Sequence, residues 1–173
     1  MADSDDAMDI FLQPGEMFFG DTQTRIRTLL GSCIAISMWH PIRRVGGMAH
    51  CLLPTADFDR RSMTPDARYV DDAILMLFRE AMRERLNPAE FQYKLFGGAD
   101  MFAGLGATSK VKIGEKNAAM AYRMLDMMGI AVVAHDLGGN VHRSVIFDVD
   151  SGHVWIRTGE PETLAALDRE IAL

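Results

Sequence analysis

Hydrophobic and polar positions alternate with the two-residue period of strands over both ends of the chain, and with a helical period over stretches between and after them. The alternation most informative about function runs from Thr28 to Leu53. Ile34, Ile36 and Met38 alternate with smaller or more polar residues, and Val45, Gly47, Ala49, Cys51 and Leu53 do the same on the way back. This is the pattern of a hairpin with Pro41 in its turn. Folded about the midpoint between Pro41 and Ile42, it pairs Trp39 with Arg44, Ser37 with Gly46 and Cys33 with His50. Directly opposed residues share a face, with Cβ atoms about 4.5–5.5 Å apart, so a thiol and an imidazole come within hydrogen-bond reach. Cys51 falls on the opposite face and reads as core.

Elsewhere, Ile10 to Leu12 reads as a short strand, Pro14 and Gly15 turn the chain, Met17 to Phe19 form an apolar patch, and Thr24 to Leu30 alternate as a strand that delivers Cys33. Pro54 to Asp66 has no apolar period and reads as a loop. A helix is expected from about Ala67, with Val70, Ile74, Leu77, Phe78 and Ala81 on one face and Asp71, Asp72, Arg79, Glu80 and Arg83 largely on the other. It ends at Asn87-Pro88, and Arg83 to Arg85 read as a solvated face. Phe91 to Phe96 form a strand running into Gly97-Gly98. Gly104 to Ser109 make another loop. A second helix opens at Ile113 and stops at Gly129, its Met120, Met124, Met127 and Met128 expected to be packed. Ile130 to Ala134 suit a strand covered on both sides, Val141 to Phe147 and Val154 to Ile156 a second hairpin, and Thr163 to Leu173 a closing helix. Strands at both ends with helices inserted make an α+β fold with a mixed, largely antiparallel sheet core.

The opposed Cys33 and His50 carry the candidate chemistry. A thiolate is the reactive form of cysteine, and an imidazole that takes its proton lowers the thiol pKa from about 8.5. Gly31 and Ser32 precede the cysteine, and a glycine there allows a sharp turn that aims backbone N–H groups at a developing oxyanion. The pair Gly97-Gly98 lacks the spacing and lysine of a phosphate-binding loop and reads as a tight turn near the site, so no cofactor is expected. His135, His142 and His153 match no zinc-ligand spacing, and no metal is expected.

The run Thr28, Leu29, Leu30, Gly31, Ser32, Cys33, followed by Gly46 to His50 and by Leu53-Pro54, resembles the CheD family of chemoreceptor glutamine deamidases of bacterial chemotaxis. Lys94 to Phe102, Ile113 to Asn117, Asp136 to Asn140 and Arg143 to Val145 resemble the family's later blocks in the family's order, so the likeness spans about Phe11 to Ile156. It implies that Cys33 is the nucleophile and His50 the base. It also implies a threonine five or six residues before the cysteine, where this chain has Thr28 at five and Arg27 at six. The implied fold is a layered α/β/β/α arrangement similar to cysteine hydrolases of the cytotoxic-necrotising-factor type, with the site in a shallow groove.

Composition narrows the setting. The 173 residues suit one domain, expected from 10 to 173 after a loose acidic tail over 1–9, and 49% hydrophobic with 24% charged residues is ordinary for a globular chain. A net charge of −6, with no basic run along the chain, argues against the clustered basic face of a nucleic-acid binder. Two cysteines on opposite faces of one hairpin point to a reducing compartment. The N-terminus has no apolar signal-peptide segment and no run is apolar enough to span a membrane, so a cytoplasmic protein, peripheral to membrane receptors only, is expected. Two functions fit. One is hydrolysis of a glutamine carboxamide on methyl-accepting chemotaxis receptors by Cys33 and His50, with Gly97, Gly98 and Phe102 in loops that contact protein substrate. The other is a binding regulator that docks the receptor or a CheC-type phosphatase in the same groove without turnover.

Overall fold

The computed structural model describes residues 6–56, 64–102 and 112–171. Two sheets lie face to face. The first has the order β1 (Met8–Leu12), β3 (Thr24–Leu30), β8 (His142–Asp148), β9 (Val154–Gly159). The second runs β2 (Met17–Gly20), β5 (Val45–Cys51), β4 (Ile34–His40), β6 (Gln92–Gly97), β7 (Val132–Leu137). Pairing is antiparallel except between β1 and β3 and between β6 and β7. Helices α1 (Val70–Arg83) and α2 (Ile113–Met127) cover the outer face of the second sheet, and α3 (Pro161–Ile171) covers β8 and β9 of the first. The result is the expected α/β/β/α layering.

Alternation along the strands divides the side chains between two cores. Ile34, Ile36 and Met38 of β4, with Ala49 and Cys51 of β5, point toward the helices and meet Val70, Ile74, Leu77, Phe78 and Leu125. Ala35 and Met48 point the other way, into the space between the sheets, where Ile26, Leu30, Phe96, Val145 and Phe147 join them. On β3 the buried positions are Thr24, Ile26, Thr28 and Leu30, while Arg27 faces outward and pairs with Asp9 at 2.9 Å. Two connections pass from the first sheet to the second: Gln13 to Glu16 between β1 and β2, and Gly31 to Cys33 between β3 and β4. Both leave the same end of the parallel β1–β3 pair.

Several elements differ from the sequence expectation. The hairpin register is shifted by two: Ala35 opposes His50, Trp39 opposes Gly46 and His40 opposes Val45. The cause is a four-residue turn, Pro41 to Arg44, closed by the Arg44 N–H donating to the His40 carbonyl at 2.8 Å, with Arg44 at φ 53°. The His40 ring reinforces it by accepting from the N–H groups of Ile42 and Arg43. β7 is an edge strand with Val133, Ala134 and His135 exposed, not one covered on both sides, because it pairs only with β6. β1 starts at Met8 instead of Ile10, α1 starts at Val70, and Asn87 caps a separate 3-10 turn at Pro88–Glu90. Asp71, expected on the solvent face, is buried and accepts from the Thr55 hydroxyl at 2.6 Å. The methionines divide, with Met120 and Met124 against the core and Met127 and Met128 exposed. Parts of the two expected loops, 57–63 and 103–109, lie outside the described residues.

Trp39 ties the two layers of strands together. Its Nε1–H donates to the Val149 carbonyl at 2.7 Å, just after β8, and Val149 is fully buried. Trp39→Phe keeps most of the apolar contact and strands that carbonyl, an expected loss of about 1–3 kcal/mol. Urea denaturation should show a lower midpoint with an unchanged slope, and an unchanged midpoint would mean that the hydrogen bond contributes nothing.

Candidate active site

Thr28, Cys33 and His50 converge between the sheets. Thr28 is inward on β3, His50 is inward on β5, and Cys33 ends the connection that crosses between their sheets. Thr28 and His50 are buried, and Cys33 is partly exposed. Thr28 Oγ1 donates to the Leu12 carbonyl at 2.8 Å and lies 2.7 Å from His50 Nδ1. A hydroxyl has one proton. A carbonyl can only accept, so both contacts are made at once when Thr28 donates to Leu12 and accepts from His50, the arrangement that protonates Nδ1 and leaves a lone pair on Nε2. His50 Nε2 is buried and has no hydrogen-bond partner among the described residues.

The shifted register carries Cys33 from the position opposite His50 to a diagonal one on the same face. Diagonal neighbours stand about 7–8 Å apart between Cα atoms and somewhat less between Cβ atoms. The thiol–imidazole hydrogen bond expected from the hairpin is accordingly not made, since Nε2 has no partner. The faces are as expected. Cys51 sits opposite Ile34 in the helix-side core.

Burial sets the charge state of the pair. Desolvation pushes the His50 pKa down to about 4, against the opposing pull of the Glu16 carboxylate and the Leu12 carbonyl. It also raises the Cys33 thiol, partly offset by a backbone N–H. Near neutral pH the two groups rest as thiol and neutral imidazole. The thiolate–imidazolium pair expected from the sequence is not the resting state, and any transfer of the thiol proton to His50 would have to accompany attack. Glu16, which sequence reasoning passed over, is held here by backbone: the His50 N–H donates to the Glu16 carbonyl and the Gly15 N–H to the His50 carbonyl, each at 2.9 Å.

Gly97-Gly98 form the tight turn expected beside Cys33, whereas Gly31 does not adopt the sharp positive-φ turn expected of it. Gly31 has no positive φ, and the nearest atoms to a Cβ there would be Met101 and His142 side-chain atoms at 3.3 and 3.5 Å. The strict requirement is at Gly97, with φ +100° and the Cys33 carbonyl 2.4 Å from where a Cβ would stand. Gly98 N–H donates to that carbonyl at 2.8 Å, and Ala99 N–H donates to the Gly31 carbonyl at 3.0 Å. The Gly97-Gly98 turn therefore supports the Gly31–Cys33 loop from behind. The N–H groups of Ser32 and Cys33 donate to no backbone carbonyl among the described residues, and the Cys33 N–H lies against its own thiol. Beside Ser32 a cavity of about 120 Å³ is lined by Gly98 to Phe102, by Lys112 to Glu115 and by Gly138-Gly139. Phe102 stands 62% exposed at its edge. The three remaining candidate histidines are dispersed, His135 against Tyr122, His153 against Trp155 and His142 beside Gly31.

The family model for CheD chemotactic sensory transduction matches residues 52–158. A probable chemoreceptor glutamine deamidase CheD 2 of Albidiferax ferrireducens is 43% identical over 148 residues, 86% of each chain. The chain belongs to the CheD family. A probable CheD 1 of Chromobacterium violaceum is 44% identical over 155 residues, 90% of this chain and 80% of its own, and a probable CheD of Pseudomonas syringae pv. syringae is 43% identical over 86% of this chain and 84% of its own. The CheD family model begins after His50, whereas coverage of 86% of 173 residues necessarily takes in residues 28 to 50. Of the two positions open for the family's threonine, only Thr28 meets His50, because Arg27 points to the opposite side of β3.

Two outcomes follow from burial. Cys51 is fully buried, and its thiol is raised well above the ordinary range by desolvation and by the neighbouring Cys33 and Asp71 charges. Iodoacetamide should therefore modify Cys33 first in the folded protein, and equal labelling of both thiols would contradict the site. The lowered His50 pKa means that the unfolded chain binds the proton more readily. Its contribution to stability is complete above about pH 6.5 and is lost as pH falls toward about 4, on the order of 3 kcal/mol in all. Urea denaturation between these limits should show that extra slope in the wild type and not in His50→Asn. Parallel slopes would mean that His50 titrates normally.

Proposed function

We propose that this CheD protein is a chemoreceptor glutamine deamidase in which Cys33 is the nucleophile, His50 the general base and Thr28 the group that orients His50. The observation that carries the reading is the buried, unpartnered Nε2 of His50, its tautomer set by Thr28, on the same face as the partly exposed Cys33. Cys33 Sγ attacks the side-chain carbonyl carbon of a receptor glutamine while His50 Nε2 takes the thiol proton. The Ser32 and Cys33 N–H groups receive the oxyanion. Collapse of the tetrahedral adduct breaks the C–N bond, and His50 returns the proton to the departing ammonia. Water, deprotonated by His50, then cleaves the thioester to give glutamate and the free thiol. Glycines 97 and 98 position the nucleophile, and the exposed Phe102 with the cavity beside it contacts the protein substrate.

The three CheD relatives described above are themselves named for glutamine deamidation of chemoreceptors. No helix among the described residues is long and apolar enough to cross a membrane, and the proposed place of action is the cytoplasmic part of the receptor. A CheC-type phosphatase, the partner the sequence resemblance implies, would engage the surface around Phe102 and so compete with receptor.

Incubation with a receptor cytoplasmic domain should convert specific glutamines to glutamate, read by peptide mass spectrometry. Cys33→Ala should abolish conversion while retaining receptor binding, and conversion by that variant would refute the nucleophile. A free glutamine offers little surface to orient its carbonyl, so it should be a poor substrate beside a folded receptor fragment. Phe102→Ala should lower kcat/KM on receptor with Cys33 alkylation unchanged and stability altered by no more than about 0.5 kcal/mol, as for other exposed positions. Equal specificity constants for free glutamine and receptor would contradict the protein-substrate assignment.

A further inference from the structure

The carbonyls that flank the nucleophile and the base are held by one side chain from a third element. Asn117, fully buried on α2, donates from Nδ2 to the Leu52 carbonyl at 2.9 Å and, more weakly, to the Ser32 carbonyl at 3.4 Å. Ser32 immediately precedes Cys33, and Leu52 follows His50 by two residues. One carboxamide thus spans the nucleophile loop and the end of the base strand. These are the hydrogen bonds that the two carbonyls make among the described residues.

A second contact one helical turn earlier fixes where α2 can sit. A Cβ on Gly114 would stand 2.3 Å from the Gly98 carbonyl oxygen, so the helix backbone lies directly on the Gly97-Gly98 turn. That turn in turn donates the Gly98 N–H to the Cys33 carbonyl. Gly114 and Asn117, three residues apart, share a face of the helix. Asn117 also carries a cost: its Oδ1 is buried with no partner among the described residues. An apolar side chain here would remove that cost but strand the Leu52 and Ser32 carbonyls, so the carboxamide ties α2 to both peptides.

We infer that Asn117, seated by the Gly114–Gly98 contact, is a positioning residue that sets the separation and angle of Cys33 relative to His50. The inference rests on the proposed roles of Cys33 and His50. Because the resting thiol and imidazole are diagonal and unbonded, the reaction depends on small displacements of the loop, and a shift of about 1 Å can cost on the order of 100-fold in rate. Asn117 acts on that displacement without touching substrate.

The test compares Asn117→Ala, Asn117→Asp, Leu125→Ala and Cys33→Ala on receptor-fragment deamidation, with thermal stability measured for each. Leu125 is fully buried in the core on the same helix and has no side-chain hydrogen-bond donor for either carbonyl, so its truncation reports the effect of loosening α2 alone. Asn117→Asp has the shape of the native residue and loses both donors when ionised. Both Asn117 variants should lose about tenfold or more in kcat with KM within about twofold, a split that marks lost geometry and not lost substrate binding. Leu125→Ala should keep its kcat at a comparable loss of melting temperature, and the Asn117→Asp deficit should deepen as pH rises and the last donated proton is lost. A kcat loss smaller than tenfold, an equal loss in Leu125→Ala, or failure of both Asn117 variants to fold would each overturn the positioning role. Retained conversion by Cys33→Ala would instead overturn the underlying reading, whereas an inert Cys33→Ala beside fully active Asn117 variants would overturn this inference alone.

Discussion

The Thr28 hydroxyl has a single proton, and the site depends on where it goes. Donated to the Leu12 carbonyl, it obliges Thr28 to accept from His50 Nδ1. The link joins one sheet to the other, because Thr28 and Leu12 belong to the β1–β3 pair and His50 to β5. The parallel register that sets Leu12 beside Thr28 is thereby part of the chemistry. The inward phase of β3, with Thr28 between Ile26 and Leu30, is what brings the hydroxyl into the space between the sheets.

The same burial that fixes this geometry determines the reactivity. A base with its pKa near 4 is a weak acceptor for a thiol that burial has raised. Protein substrate can reverse part of this by supplying binding energy from surface remote from the carboxamide. A thiol that stays protonated until substrate is seated is also protected from adventitious oxidation, since the thiolate is the form that reacts. Backbone contacts, from Gly97, Gly98 and the Gln13–Glu16 connection, hold the loop and the base strand so that few side chains are needed.

Much of this was legible in the chain. Alternation located the strands and put Cys33 and His50 on one face and Cys51 on the other, and a two-residue register shift leaves that parity intact. The shift itself was hidden because it comes from His40 capping its own turn and from Arg44 adopting a left-handed backbone, neither of which hydrophobic pattern encodes. The choice between Thr28 and Arg27 stayed open in the sequence, and the phase of β3, with Ile26, Thr28 and Leu30 on one face, is what separates the two. The apolar run at β7 misled because an edge strand with exposed valine and alanine has the same composition as a covered one. The contribution of Asn117 was illegible for a different reason: a helical asparagine shows no period, and its partners lie 85 and 65 residues away.

The most direct measurement of the central claim is the tautomer of His50, read from the ring ¹⁵N shifts of labelled protein at pH 7. The account predicts a protonated Nδ1 and an unprotonated Nε2, with the preference lost in Thr28→Val, whose side chain cannot accept the hydrogen bond. An Nε2–H tautomer or an imidazolium at that pH would mean that His50 cannot take the Cys33 proton as described.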